Sequence, residues 1–288
     1  MRRLTAALAA LIATAGSAAG QADARATHPF FAGERLEFTA RVSRVRGSGT
    51  GTMWIEGPVT LRGRDALRLR FDFRARVGFV SAEDRTESWL DVERMAALRF
   101  AKHERHPLSK HDERVEIFPR ERRWTGEDGA EGTSPTDAPL DELSFMYFLR
   151  TLPLDADTLQ RFDRHFDRDR SPTSVRVVGR DTVQTPAGTF RAILLEMRVK
   201  DPRRYRGEGT IRIALSDDAC RLPLRIESRM PVVGVAVLTL ARHNHDPAHP
   251  LALVRAADGR VGNLPTPRRD TAEESSRVAP TEGAPGQP

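Results

Sequence analysis

Eight histidines, one cysteine and a scatter of carboxylates are the groups in this chain with catalytic or metal-binding chemistry. Three of the histidines, His103, His106 and His111, fall with Glu104 and Asp112 around one expected β-hairpin. A turn over Pro107–Lys110 sets His106 and His111 opposite one another, at the separation two imidazoles need to share a metal. His103, three residues before His106, faces the other side of the strand. The spacing names no third ligand, so the group reads as exposed hairpin histidines. His243-Asn244-His245 puts two imidazoles on one face if the last strand runs that far, with His249 beyond. Zinc or copper would need thiolates or a carboxylate cluster beside them, and only Asp246 is near.

Covalent chemistry has no better footing. Gly47-Ser48-Gly49 is not a nucleophile elbow, because no Gly-x-Ser-x-Gly stands between a strand and a helix. The Gly47-x-Gly49-x-Gly51 run also lacks the Lys-Ser/Thr ending and the helix of a phosphate loop, and reads as a hairpin turn. Ser88 has no partner that spacing would assign. Glu83, Asp84, Glu87 and Asp91 lie on one expected strand, where Glu87 and Asp91 are ordinary polar alternates and no glycosidase pair stands out. Asp217 and Asp218 suit a turn. Cys220, the sole cysteine, cannot form an intramolecular disulfide and is expected to be a buried thiol. No catalytic residue, metal site or cofactor is therefore assigned, and an enzyme is not the favoured class.

The pattern that does suggest a function is apolar. Along Ala66–Val77, Leu67, Leu69, Phe71 and Phe73 face one way while Arg68, Arg70, Arg74 and Arg76 face the other. Leu140–Pro153 reads as a helix with apolar residues nearly all round, hence a buried one. Asp137, Asp141 and Glu142 suit its N-terminal dipole, and Pro153 stops it. The strand face Leu67, Leu69, Phe71 and Phe73, set opposite Leu143, Phe145, Met146 and Phe148, could line an acyl-chain cavity or fill a solid core. The row Arg68, Arg70, Arg74 and Arg76 is a candidate contact for anionic groups, or a solvated strand face.

The elements that would position these residues are almost all strands. Leu36, Phe38, Ala40 and Val42 share one face of the first. Further strands are expected at Glu83–Asp91, Ala97–His106, His111–Pro119, around Trp124, and then at Thr173–Gly179, Thr189–Val199, Thr210–Leu215, Leu224–Arg229 and Val232–Arg242. Thr158–Arg170 is ambiguous between strand and loop. The fold class is mainly β: a strongly curved antiparallel sheet or half-open barrel of about ten to twelve strands with one buried helix.

The two ends differ from this middle. Arg2 and Arg3 precede the apolar run Leu4–Ala15, and Ala22-Asp23-Ala24 has the small-residue cleavage pattern. Residues 1–24 are thus expected to be an export signal cut near Ala24, with no cysteine nearby for lipid attachment. The run is too short to span a membrane, and no later stretch is long and apolar enough. Residues 28–245 are expected to form a single β-rich domain, and residues 246–288, rich in Pro, Ala, Gly, Arg and Glu, a disordered tail. The expected location is the periplasm. Net charge is +6, but only three of the 46 basic residues are lysine (Lys102, Lys110, Lys200), and aromatics make up 6%. Export and scarce aromatics argue against nucleic acid as a partner. A lipid or another envelope component remains open, and no oligomeric state is implied.

Several segments together resemble the bacterial family known as domain of unknown function 3108. They are HPFFAGERLEF at residues 28–38, GSGTGTM, LDELSFMYFLRTLPL, VQTPAGTFRAILLEM, LSDDACRLPLRIE and VVGVAVLTL, in that order over about residues 28–243. The resemblance implies an exported β-rich protein and carries no activity, cofactor or catalytic residue with it. The layout is similar to the lipoprotein-carrier (Lol-type) folds, which hold acyl chains in a half-open barrel, an analogy of fold alone. The leading expectation is a non-catalytic binding or carrier module for a lipidic or amphipathic ligand. The alternative is a structural or assembly factor of the envelope that binds a protein or polysaccharide, and a third class is a hydrolase of envelope polymers.

Overall fold

The computed structural model describes residues 28–245 apart from 44–46, 78, 107–108, 156–157, 202–204, 206 and 231–233. The export signal expected over 1–24 and the tail expected over 246–288 lie outside the described residues, as does His249.

The chain first makes a meander of β1 (Arg35–Val42), β2 (Gly47–Leu61), β3 (Arg64–Val77), β4 (Val80–Asp91), β5 (Ala96–His106), β6 (Ser109–Phe118), β7 (Arg123–Gly126) and β8 (Glu131–Thr133). The helix α1 (Glu142–Leu149) follows, and then β9 (Leu159–Phe162), β10 (Thr173–Thr185), β11 (Gly188–Asp201), β12 (Gly207–Ser216), β13 (Pro223–Met230) and β14 (Gly234–His243). The second meander starts at the far edge and works back, so that β14 pairs antiparallel with β1. One 14-stranded antiparallel sheet results, running from β8 through β1 and β14 to β9. Bulges at Glu37/Phe38, Glu56/Val59, Trp89/Leu90, Val177/Gly179 and Ala214/Leu215 bend it. Each adds local twist, which is how a long sheet curls around a core.

The sheet does not close into a barrel. Its β8 and β9 ends are instead tied by the segments on either side of α1 and β9. Leu140 pairs in parallel with His165, through Leu140 N to Arg164 O and Phe166 N to Leu140 O. Ser134 Oγ donates to Phe166 O at 2.7 Å, and Ala97 N to Pro139 O at 2.7 Å. Phe166 fills a small apolar cluster with Phe100, Val115, Ile117 and Trp124 beneath this strap.

The pattern of β1 is observed as expected, with Leu36, Phe38, Ala40 and Val42 buried. Four details differ. Fourteen strands form because short edge strands, β8 and β9, add to the number; β9 comes from the ambiguous Thr158–Arg170 stretch, whose remainder includes a 3-10 turn. Gly47, Gly49 and Gly51 lie inside β2 and not in a turn. A Cβ on Gly49 would stand 2.1 Å from Arg74 O, so the glycine permits the close approach of β3. His106 pairs with Ser109, and Glu104 with His111, so the two histidines are not cross-strand partners. The hairpin turn is tighter than the expected one, which moves the register. The helix is shorter than Leu140–Pro153, because Leu140 is drawn into the strap and the chain turns after Leu149.

Candidate ligand cavity

Helix α1 is held by its first turn. Asp141 Oδ1 accepts from Leu143 N and Ser144 N, both at 2.9 Å, and Ser144 Oγ accepts from Asp141 N. This reciprocal cap satisfies backbone donors that a helix otherwise leaves open. Ser88 Oγ on β4 donates to Asp141 Oδ2 at 2.5 Å and fixes the helix start to the sheet. Burial pushes the Asp141 carboxyl up to about 6, against the hydrogen bonds from Ser88 and Ser144.

The helix end is held by charge. Arg150 and Glu34 are 3% and 0% exposed and form a two-pronged pair, Nη1 to Oε1 and Nη2 to Oε2, each 2.7 Å. Arg150 Nη2 also donates to Pro29 O and Cys220 O, and His245 Nε2 bonds Glu34 Oε2 at 2.5 Å. Burial alone would raise the Glu34 carboxyl, but Arg150 and His245 bring it below the usual range. Tyr147 Oη, Arg150 Nε and His245 Nδ1 are buried nearby with no hydrogen-bond partner among the described residues. Cys220 is buried and its thiol is pushed up to about 11 by burial, so it is a poor nucleophile.

Between helix and sheet lies a cavity of about 220 Å³. Its apolar wall comes from Met53, Phe71, Leu143, Phe145, Met146, Met197, Val199, Ile211, Ile226 and Leu238. Its other end is charged: Asp141, Glu142, His165, Arg170, Lys200 and Asp201 line it. These charges hold one another. Lys102, 3% exposed, donates to Glu142 Oε1 at 2.6 Å, and Arg170 Nη2 bonds Asp201 Oδ2 at 2.7 Å and lies 3.8 Å from Glu142. Lys200 Nζ donates to Ser171 O. His165 Nδ1 faces the Asp167 backbone, 3.0 Å from its N and 3.3 Å from its O, which leaves Nε2 turned away from that turn. Burial, and then Arg170, lower that imidazole to about 3, so it stays neutral.

Of the residues singled out in the sequence, Phe71, Leu143, Phe145 and Met146 line this cavity. Leu69 is a fully buried core residue, and Leu67 packs against the same core. Phe148 packs edge-on against Phe145 and Phe162 under the Arg164 guanidinium. Phe73 is half-buried further along β3. Arg68 and Arg70 stand on the opposite sheet face. Arg68 reaches Glu56 and Glu87 and stacks on Trp89; Arg70 reaches the same two carboxylates and stacks on Trp54. Arg74 and Arg76 are exposed toward the β3–β4 turn, with Glu83 3.9 Å from Arg74. The residues that sequence reasoning missed are the charged ones: Glu34, Lys102, Arg150, His165, Arg170 and Asp201. Arg150 carried a signal, as a lone cation at the end of an otherwise apolar helix. Among the described residues, no group of three or more His, Cys, Asp or Glu side chains is placed to hold a metal. None of their helices is long and apolar enough to cross a membrane.

The three segments that meet at the Glu34–Arg150 pair, HPFFAGERLEF, LDELSFMYFLRTLPL and LSDDACRLPLRIE, are landmarks of the family resemblance. Residues 35–241 match the family described as protein of unknown function DUF3108. The chain belongs to that family. No curated protein matches it. Among solved structures, a β-barrel-like protein of domain of unknown function DUF1849 from Brucella abortus is similar, at 11% identity and a TM-score of 0.50 over 74% of this chain and 97% of that one. That likeness is one of fold. A candidate exported protein with a YmcC-like fold from Bacteroides fragilis gives 13% identity and a TM-score of 0.31 over 75% and 98%. A candidate lipoprotein from Parabacteroides distasonis gives 10% and 0.30 over 75% and 98%.

Proposed function

We propose that this protein is an exported, periplasmic, non-catalytic module that binds an amphipathic ligand in the cavity under α1. The observation that carries the reading is the cavity itself, apolar along the helix and sheet and charged at one end. A solid core has no such space, since protein interiors pack to the density of organic crystals. Its volume of about 220 Å³ exceeds the ~150 Å³ of an apolar cavity that accepts benzene. It suits a ring or a single short alkyl chain and is too small for a two-chain lipid. The apolar part would sit against Phe71, Phe145 and Met146, and the polar head near Arg170, Lys200 and His165 Nε2. Arg170 already has a carboxylate partner, so the head group competes with Asp201 for it. Met146 adapts its shape to a ligand at low cost.

The test is native mass spectrometry of protein purified gently from its own host, then solvent extraction, followed by titration with straight-chain carboxylates of increasing length. Affinity should rise about fourfold per methylene until the cavity is full and then level off. Met146→Asp should weaken binding at least about tenfold by placing a charge on the apolar wall. Met146→Trp should do so by filling it. Clean apo protein, with no chain-length dependence and no effect of either variant, would establish a closed interior and end the reading.

A further inference from the structure

Register places the hairpin ends of this sheet at one rim. Val42 pairs with Gly47 and with Ala236, Ser48 pairs with Arg76, Val77 with Val80, and Met230 with Gly234. The ends of β1 to β4, β13 and β14 therefore stand side by side. At this rim Phe79 is 108% exposed, the most exposed large apolar side chain among the described residues. A fully solvated phenylalanine at a hairpin tip contributes nothing to a core. The charged described residues within four positions of these strand ends are Arg41, Arg74, Arg76 and Arg229 against Glu83, Glu227 and Asp84, the last bonded to His106 Nε2 at 2.7 Å. Arg225 holds Glu227 at 2.6 Å, and the nearest guanidinium to Glu83 is 3.9 Å away. The four arginines are exposed. This differs from the middle of the same sheet face, where Arg68 and Arg70 are each shared between Glu56 and Glu87. The cavity also reaches this end: Tyr205, on its wall, belongs to the β11–β12 connection and bonds Ser228 two residues before the end of β13.

We propose that this rim docks on the surface of an anionic lipid bilayer, with Phe79 entering the interface and Arg41, Arg74, Arg76 and Arg229 meeting the head groups. Exposed aromatic and basic side chains on one edge are the two features such a surface selects. Long arginine side chains keep the guanidinium at head-group level while their stems lie in apolar surroundings. Docking would bring the Tyr205 end of the cavity to the membrane, where an amphipathic ligand resides. The docking surface itself does not depend on what the cavity holds.

Flotation of the purified chain with vesicles of about 30% phosphatidylglycerol in phosphatidylcholine tests this against pure phosphatidylcholine vesicles. Binding should be at least about tenfold stronger to the anionic vesicles and should weaken as salt rises. Phe79→Asp, and the pair Arg74→Glu with Arg76→Glu, should each reduce it about tenfold or more without changing the thermal unfolding midpoint. Arg120→Glu, at the opposite rim, should leave binding intact. Met146→Asp should also leave it intact, which separates failure of the cavity from failure of the rim. Absence of binding to the anionic vesicles, equal binding to both, or Phe79→Asp binding like the original protein would overturn the proposal.

Discussion

Removing Glu34 should be among the most damaging single changes to this fold. The carboxylate is fully buried and takes both Arg150 nitrogens at 2.7 Å. Glu34→Leu leaves a guanidinium, 3% exposed, with the carbonyls of Pro29 and Cys220 and the rings of Phe30 and Tyr147 beside it but no carboxylate to balance its charge. Breaking a buried pair in this way costs roughly 3–5 kcal/mol, because the remaining charge is uncompensated. Against a domain stability of about 5–15 kcal/mol, that is a large fraction. At a slope near 2 kcal/mol per molar urea, the midpoint should fall by about 2 M. The assay is urea unfolding at pH 7 followed by the fluorescence of Trp54, Trp89 and Trp124. Arg150→Met should cost a similar amount, while the double variant Glu34→Leu with Arg150→Met should lose clearly less than the sum, since neither charge is left stranded. If each single variant stays within about 1 kcal/mol of the original protein, or the two effects simply add, the pair is not the tie between helix end and sheet inferred above.

Asp141 should make stability fall as pH rises from about 4 to about 6. Its carboxyl is near 6 when folded against 3.8 for the free group, so the folded state holds its proton more tightly. Stability from this source is complete below the unfolded value and lost through the folded one, by about 3 kcal/mol for a shift near two units. Asp141→Asn keeps the cap acceptor and should remove that segment of the profile; an unchanged profile would refute the assignment. The Cys220 thiol, near 11, should react with a thiol reagent at pH 8 at least about a hundredfold more slowly in the native protein than in urea. Gly49→Val should cost about 1–3 kcal/mol in the same unfolding assay, because its Cβ meets Arg74 O and the Ala75 backbone. Wild-type stability in that variant would mean that β2 and β3 can move apart freely.

Strand character was legible in this sequence wherever one face is buried and the other wet. In Ala66–Val77 and Arg35–Val42 the period of two follows directly from side chains alternating across a pleated backbone. The helix was legible for the opposite reason, since apolar residues all round leave no face for water. Family membership was legible in ordered short segments. From spacing alone the sequence assigned no nucleophile and no metal cluster.

Contacts between distant segments decided the rest. Glu34, Arg150 and Cys220 lie 116 and 70 residues apart along the chain and meet only because β14 returns to β1 and the helix end lies over that junction. Lys102, Glu142, Arg170 and Asp201 look like solvated charges one at a time, and become a partly buried network once the strap brings Leu140 beside His165. Register moved His111 opposite Glu104 through a turn of different length, which no local pattern specifies. The alternation that identified Arg68, Arg70, Arg74 and Arg76 as one row could not divide it. Only the neighbouring strands show that Arg68 and Arg70 share two carboxylates, while Arg74 and Arg76 run out to a rim with an exposed Phe79. Local sequence sets which face a side chain points to; what stands opposite it is a property of the closed chain.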